Sequence, residues 1–411
     1  DAEDGVYRIR FPEEGEHFGD GWVEPRSVVP WRMPWRFIAI GDLASIVENN
    51  MVYHLAEPNA ITDPSWIHPG ISSWSWWSST SGRSLTRLKE FVDLAAEMNW
   101  RYSLVDAGWE NMEGGNLQDL IDYATTKNVD LLLWYNSGGR KTEAEMDSTF
   151  ILEDKTLRRK EFQRISEMGI KGIKADFFNS DKQFIIRQYI NILKDAAEFN
   201  LVVNFHGCTL PRGWRRTYPN LLTMEAVKGA EAYRFSSDYP ENAIWHNTIL
   251  PFTRNVVGPM DYTPVTFSDN TNPRLTSNAH ELALSIIYES GIVHMADRTQ
   301  AYRMLPNEVK DMLKQLPAAW DETVLVDGYP GRFAIMGRKK DDTWFVAGIN
   351  AMQDYAWKTD LSFLNEYSSI SLITDEPNSE ALKIEKIDDI SAFPDTLSMQ
   401  NGGGFVMIVK K

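Results

Sequence analysis

Two short runs deliver carboxylates where apolar strands give way to loops. Gly172-Ile-Lys-Ala-Asp176-Phe-Phe carries Asp176, and Met224-Glu225-Ala-Val-Lys-Gly-Ala-Glu231 carries Glu225 and Glu231. One ionised carboxylate and one protonated carboxyl, set about the same bond, are what cleavage of a glycosidic linkage requires. Side chains alternate along a strand, so Lys174 and Asp176 lie on one side. A neighbouring ammonium keeps a carboxylate ionised, the state a nucleophile needs. A plain salt bridge at a strand end would give the same pattern. Glu225 and Glu231 could hold a hard cation such as Ca2+, or one could be kept protonated as a general acid. Solvated surface charge is the bland alternative. Asp238, in Phe235-Ser-Ser-Asp238, is a rival acid.

The ends of neighbouring apolar runs add Asp106 and Trp109, Trp134 and Asn136, Asn204 and His206, Asp261, and Asp297 with Arg298. Carboxylates and amides that accept or donate hydrogen bonds, together with flat aromatic faces, suit a hydroxyl-rich ligand. His206 could act as a base or a ligand, but the remaining histidines show no metal-ligand spacing. HExxH, CxxC and GxSxG motifs are absent, which disfavours zinc and serine-hydrolase chemistry. The single cysteine, Cys208, excludes an intrachain disulfide and reads as a small packed residue.

The elements that must position these residues follow an alternating order. Strands are predicted at 71–77, 102–109, 129–136, 170–178, 201–206, 221–227, 255–262 and 292–297. Helices are predicted at 84–98, 116–127, 157–168, 181–199, 278–290 and 307–316, several with a clear apolar face. Eight short apolar strands alternating with helices over about 250 residues predict an α/β chain, a (β/α)8 TIM barrel, whose catalytic face lies where strands end. An open doubly wound sheet is disfavoured because no Gly-rich phosphate loop follows the first strand. Beyond Trp320 short strands at 322–326, 332–338, 343–349, 370–374 and 405–409 predict a small antiparallel β-sandwich-like C-terminal domain. The first 65 or so residues read as irregular or β structure, Pro-punctuated and then strand-like near 36–40. The expected division is therefore 1–65, 66–320 for the barrel, and 321–411 for the C-terminal domain.

Composition narrows the partners. The 411 residues are 43% hydrophobic, enough for a full core, and carry a formal net charge of −16. That balance disfavours nucleic acid and anionic membrane surfaces. No apolar run approaches the roughly 18 to 20 residues of a membrane span. The 15 Trp are unusual. Some are expected to face a pyranose ring and most to fill the core.

Taken together, Ser65-Trp-Ile-His-Pro-Gly70 leading into Trp74-Ser-Trp-Trp77, Val105-Asp-Ala-Gly-Trp109, Gly172-Ile-Lys-Ala-Asp-Phe177, Arg216-Thr-Tyr-Pro-Asn-Leu221 and Glu225-Ala-Val-Lys-Gly-Ala-Glu231 resemble glycoside hydrolase family 97. The resemblance implies an N-terminal β-domain, of which residues 1–65 would be the end and linker, a catalytic barrel, a C-terminal β-domain and an active-site Ca2+. Inverting members carry a base glutamate directly after the His that ends the fifth strand, and here that position is Gly207. The resemblance is therefore to the retaining, α-galactosidase-like branch. On that branch Asp176 corresponds to the nucleophile, Glu231 to the acid/base, and Glu225 with Glu231 to the calcium site. Asp106, Trp109, Trp134, Lys174 and His206 are the expected substrate contacts. The implied substrate is a galactoside or oligosaccharide with a terminal α-galactose. β-L-arabinopyranosidase or α-glucosidase activity is the alternative within the family. A non-catalytic sugar-binding protein or an inactive fragment is the alternative outside it. The resemblance also implies a periplasmic location.

Overall fold

The computed structural model describes residues 10–31, 33–79, 82–138, 151–364, 366–377 and 379–411. Seven parallel strands form one curved sheet in the order β6-β5-β4-β3-β2-β1-β7. They are β1 (Gly70–Trp74), β2 (Tyr102–Val105), β3 (Asp130–Asn136), β4 (Gly172–Asp176), β5 (Val202–Phe205), β6 (Leu221–Met224) and β7 (Ile292–Met295). β1 pairs with both β2 and β7, so the barrel is nearly closed.

The predicted strand at 255–262 is not formed. A short 3-10 turn, Asn255–Val257, precedes an irregular segment in its place. Pro259 and Pro264 lack the N–H a ladder needs, and Gly258, Thr263 and Val265 have positive φ. The segment still bridges the gap between β6 and β7 by single hydrogen bonds. Asp261 N–H donates to the Met224 carbonyl at 2.9 Å and Ala296 N–H to the Pro264 carbonyl at 3.0 Å.

Alternation along the strands sorts the side chains. In β4, Ile173 and Ala175 join the large core between sheet and helices, while Lys174 and Asp176 point to the other side. Trp74, Tyr102, Leu104, Leu132, Val202, Leu222 and Ile292 fill the barrel interior. The helices show the matching periodicity. Leu85–Glu97 buries Leu85, Leu88, Phe91, Val92 and Ala95, and its first turn is capped by Ser84.

Six antiparallel strands form the C-terminal sheet, in the order β13-β12-β15-β10-β9-β8. They are β8 (Glu322–Tyr329), β9 (Phe333–Lys340), β10 (Thr343–Asn350), β12 (Ser369–Asp375), β13 (Leu382–Ile387) and β15 (Gly404–Lys410). β11 (Asp354–Lys358) pairs with β14 (Thr396–Gln400) as a second sheet over a separate core of Trp344, Trp357, Leu364 and Phe405.

Among the described residues before 66 no strand is present, contrary to the strand-like expectation near 36–40. Two short helices, Leu43–Val47 and Met51–Leu55, are found instead. Pro25, Pro30 and Pro34 interrupt any ladder, and Val28, Val29, Trp35, Ile38 and Ile40 are largely exposed for want of a neighbouring strand. Several contacts tie this part to the barrel, one lysine making three of them. Lys182 Nζ donates to the carbonyls of Glu14, Glu16 and Asp20 at 2.8 to 2.9 Å.

Candidate active site

Register places the reactive residues at one end of the sheet. Trp134 pairs with Lys174 and Asn136 with Asp176, and Lys174 in turn pairs with Asn204. Asp176 closes β4 and is 9% exposed. Trp134 Nε1 donates to its Oδ2 at 3.1 Å, and the Phe177 N–H donates to Oδ1 at 2.8 Å. Lys174 Nζ lies 3.7 Å from Oδ2. One indole and one backbone amide thus fix the Asp176 carboxylate beside an ammonium. Phe177 sits at φ 68, an uncommon backbone conformation for a bulky residue.

Lys174 is closer to Asp106, at 3.0 Å, and lies over the Trp74 ring at 5.1 Å. Trp74 Nε1 and the Ala107 N–H both donate to Asp106, each at 2.7 Å. Burial opposes ionisation of Asp106, but Lys174 and these donors outweigh it and lower its pKa. Burial likewise opposes the Lys174 charge, yet Asp106, Asp176 and Glu231 together hold its pKa above the ordinary value. The ammonium is therefore a permanent positive centre among three carboxylates.

Glu231 lies in the short 3-10 turn Ala230–Arg234. Trp76 Nε1 donates to its Oε1 at 2.7 Å. Burial raises its pKa, helped by Asp176 and Asp106 and opposed by Lys174 and His206. A desolvated carboxyl with a raised pKa is suited to give a proton. Glu225 follows β6, accepts the Gly207 N–H at 2.8 Å, and lies 3.4 Å from His206 Nδ1. Burial raises its pKa also, with Asp176 and Glu231 adding to the effect and His206 opposing it.

His206 is locked from below. Its Nε2 meets Asp261 Oδ2 at 2.7 Å, and the same oxygen receives His294 Nδ1 at 2.8 Å and Asn204 Nδ2 at 2.7 Å. Burial and Lys174 disfavour a charge on His206, but Glu225 and Asp261 raise its pKa to about 9. Asp261 itself is held well below the carboxylate range against its burial, by His294 and His206.

Gly207 has φ +48, and a Cβ there would lie 2.8 Å from the Phe177 nitrogen and 3.1 Å from Asp176 Oδ1. The position is closed to any side chain without movement of the β4 end.

Ligand atoms of His206, Glu225 and Glu231 lie within 4.8 Å of one another. Two desolvated carboxylates that repel each other match the oxygen donors a hard cation prefers, and they fit part of a calcium shell of six to eight oxygens. His206 has its Nε2 engaged by Asp261 and is poorly suited to that ion.

The structure brings together Asp106, Trp134, Lys174, Asp176, His206, Glu225 and Glu231. It places Trp109 elsewhere. Trp109 packs edge-on against Tyr135, 5.7 Å between ring centroids, in the core between sheet and helices, and its indole donates to the Trp134 carbonyl at 2.8 Å. The β2 strand ends at Val105, so the Asp106-to-Trp109 turn carries the ring outward. Asp238 is an exposed residue 3.5 Å from Lys228 Nζ, outside the cluster. Cys208 is half-buried, its thiol pushed above the usual range by burial and donating to the Phe205 carbonyl. Sequence reasoning passed over Trp76 as a carboxylate donor and His294 as a partner of Asp261. The Trp-Ser-Trp-Trp run at the end of β1 was the available signal for Trp76. No local signal marks His294, because its partner is distant in sequence.

Comparison with known proteins gives a consistent set of likenesses. The family model for Glycoside hydrolase 97 matches residues 66–227, and that for Glycosyl-hydrolase 97 C-terminal, oligomerisation, matches 319–410. A probable retaining alpha-galactosidase of Streptomyces bingchenggensis is 35% identical over 84% of this chain and 53% of its own length. A retaining alpha-galactosidase of Bacteroides thetaiotaomicron is 29% identical over 93% of this chain and 60% of its own. The chain thus spans little more than half the length of these curated relatives. Among solved structures, a beta-arabinopyranosidase superposes with TM-score 0.90 at 30% identity, covering 97% of this chain and 65% of that one. A family 97 enzyme of Pseudoalteromonas in complex with panose gives 0.79 at 22% identity, over 90% of this chain and 64% of that one.

Proposed function

The chain belongs to glycoside hydrolase family 97, and from that premise we propose that it is a retaining exo-glycosidase that removes terminal α-linked galactose. Asp176 is the nucleophile and Glu231 the acid/base. The observation that carries retention is Gly207. An inverting enzyme needs a carboxylate to activate water directly, and position 207 has neither a side chain nor room for one beside Asp176.

The reaction then has two steps. Asp176 attacks C1 while Glu231 gives its proton to the glycosidic oxygen, so the C1–O bond breaks as the C1–carboxylate bond forms. Glu231, now ionised, takes a proton from water, which attacks C1 and releases Asp176. Lys174 sets a positive charge 3.7 Å from Asp176 Oδ2, and the Trp134 indole orients the carboxylate. Asp106, desolvated and ionised, is the candidate acceptor for sugar hydroxyls, with Lys174 and Trp134 lining the same space. His206, held by Asp261, is the further sugar contact in this proposal.

Glu225 and Glu231 would hold the family's Ca2+. When bound, the ion supplies positive charge that offsets repulsion among the buried carboxylates and helps keep Glu225 ionised. A periplasmic location and self-association through the C-terminal region belong to the same proposal. The structural match to a beta-arabinopyranosidase favours one second reading, the β-L-arabinopyranoside, which shares the ring stereochemistry of α-galactose and lacks the hydroxymethyl group.

The test is hydrolysis of p-nitrophenyl α-galactoside, α-glucoside and β-L-arabinopyranoside, with and without chelator, the first-formed anomer being followed by NMR. Galactoside turnover with a retained anomer supports the proposal. An inverted anomer removes the nucleophile role of Asp176, and preference for the arabinopyranoside moves the substrate assignment.

A further inference from the structure

Behind Glu231 a path of buried hydrogen bonds runs from the acid's own loop to the C-terminal sheet. The loop is gripped through its backbone. Ala230 N–H donates to the Tyr262 carbonyl at 3.0 Å, and Trp77 Nε1 donates to the Ala230 carbonyl at 3.1 Å. The Lys228 carbonyl lies 3.1 Å from the Tyr239 hydroxyl and 3.1 Å from His246 Nε2. A Cβ on Gly229 would stand 2.4 Å from the Tyr262 carbonyl oxygen, so the two segments touch without a spacer.

From this loop the contacts lead away from the sugar. The Tyr239 and Tyr262 hydroxyls are 2.7 Å apart, and Tyr262 donates to Asn247 Oδ1 at 2.7 Å. Asn247 Nδ2 meets His280 Nε2 at 3.0 Å, and His280 Nδ1 faces the Gly403 carbonyl at 3.3 Å. The four side chains are at most 1% exposed. Donor counting fixes the direction. An amide nitrogen only donates, so His280 Nε2 accepts and its proton sits on Nδ1, facing Gly403. Burial pushes the His280 pKa down to about 3, which keeps the ring neutral.

The far end is rigid. Ser277 N–H donates to the Gly402 carbonyl at 2.9 Å. Asp375, on β12, accepts from the Ser277 hydroxyl, Ala279 N–H and Gly404 N–H at 2.6 to 3.2 Å. A Cβ on Gly404 would lie 2.7 Å from His280 Cα. The near end needs such support, because the segment carrying Tyr262 is irregular where a regular barrel would have a strand. Side-chain bonds replace the missing ladder.

We propose that Tyr262, Asn247 and His280 are positioning residues that tie the Lys228–Glu231 loop to the C-terminal sheet and so set the Glu231 carboxyl against the leaving-group oxygen. This rests on Glu231 being the acid. None of the three is assigned contact with the sugar. The C-terminal domain becomes part of the acid's support.

The test uses the whole chain and the leaving-group dependence of kcat/KM. A 2,4-dinitrophenolate departs with little protonation, whereas methoxide needs the acid fully. With α-galactosides of both kinds, or β-L-arabinopyranosides if these are preferred, Tyr262→Phe and His280→Leu should lose about tenfold or more on the methyl glycoside and stay within about threefold on the dinitrophenyl one. His280→Gln keeps a donor and an acceptor and should recover most of the loss. Tyr262→Phe removes one oxygen and decides the matter if His280→Leu does not fold. Glu231→Gln is the control and should show the same pattern more steeply. Equal losses on both substrates, or none, while Glu231→Gln keeps the pattern would overturn the positioning role. A control without the pattern would overturn the assignment of Glu231, and the inference with it.

Discussion

Gly207 and Asp176 are near enough that any Cβ on the glycine would sit 3.1 Å from the Asp176 Oδ1 oxygen. Asp176 ends β4 and Gly207 lies two residues beyond the end of the adjacent β5, and the His206 N–H bond to the Ala175 carbonyl at 2.9 Å holds those ends together. Space for the nucleophile and absence of a base at 207 are therefore one structural fact. Gly207→Glu should cost more than about a hundredfold in kcat/KM on an aryl α-galactoside without changing the product anomer, because displacement of Asp176 by even an ångström is that costly. NMR of the first-formed product checks the second half of the statement.

Asp176→Ala should abolish hydrolysis yet allow azide, supplied from solution, to attack the opened face and yield the glycosyl azide of opposite anomeric configuration to the product of normal turnover. Detection of that azide by NMR or mass spectrometry is the measurement. Rescue with retention would point to another nucleophile.

Asp106→Ala leaves Lys174 buried beside only partial compensation. Breaking a buried pair of this kind costs roughly 3–5 kcal/mol. Chemical denaturation should register most of this loss, and turnover should fall with it. Unchanged kinetics would refute a role for Asp106 at the substrate.

His280 has a folded pKa of about 3 against an ordinary value of 6.5. The unfolded chain therefore binds the extra proton first as pH falls. The stability His280 contributes is complete above about pH 6.5 and declines steadily from there toward about pH 3. Melting temperature recorded against pH should lose this part of its acid slope in His280→Gln.

Chelation should lower activity, and added Ca2+ should restore it. In Glu225→Gln, calorimetric titration with Ca2+ should show weakened binding, since one of the two glutamate oxygen donors is gone. Equal affinity in the variant would remove Glu225 from the ion's shell.

What could be read in the chain alone was whatever local patterning encodes. The alternating apolar strands and helices announced the barrel, six of the seven strand positions sit within a few residues of their predicted places at both ends, and β2 begins where expected but ends at Val105. Period-two alternation put Lys174 and Asp176 on one side, and Gly207 was visible as a missing side chain. The β2 terminus decided Trp109 differently. Once the strand stops, the ring is free to turn into the core, and no periodicity records that turn. The absent strand at 255–262 has the same origin, since prolines and left-handed residues outweigh an apolar run only when the neighbouring ladder is known. The network around Asp261 and the path from Tyr262 to Gly403 lay beyond the sequence for a simpler reason. Their partners are 15 to 123 residues apart along the chain, and short-range side-chain bonds between such positions exist only after the barrel and the C-terminal sheet have packed.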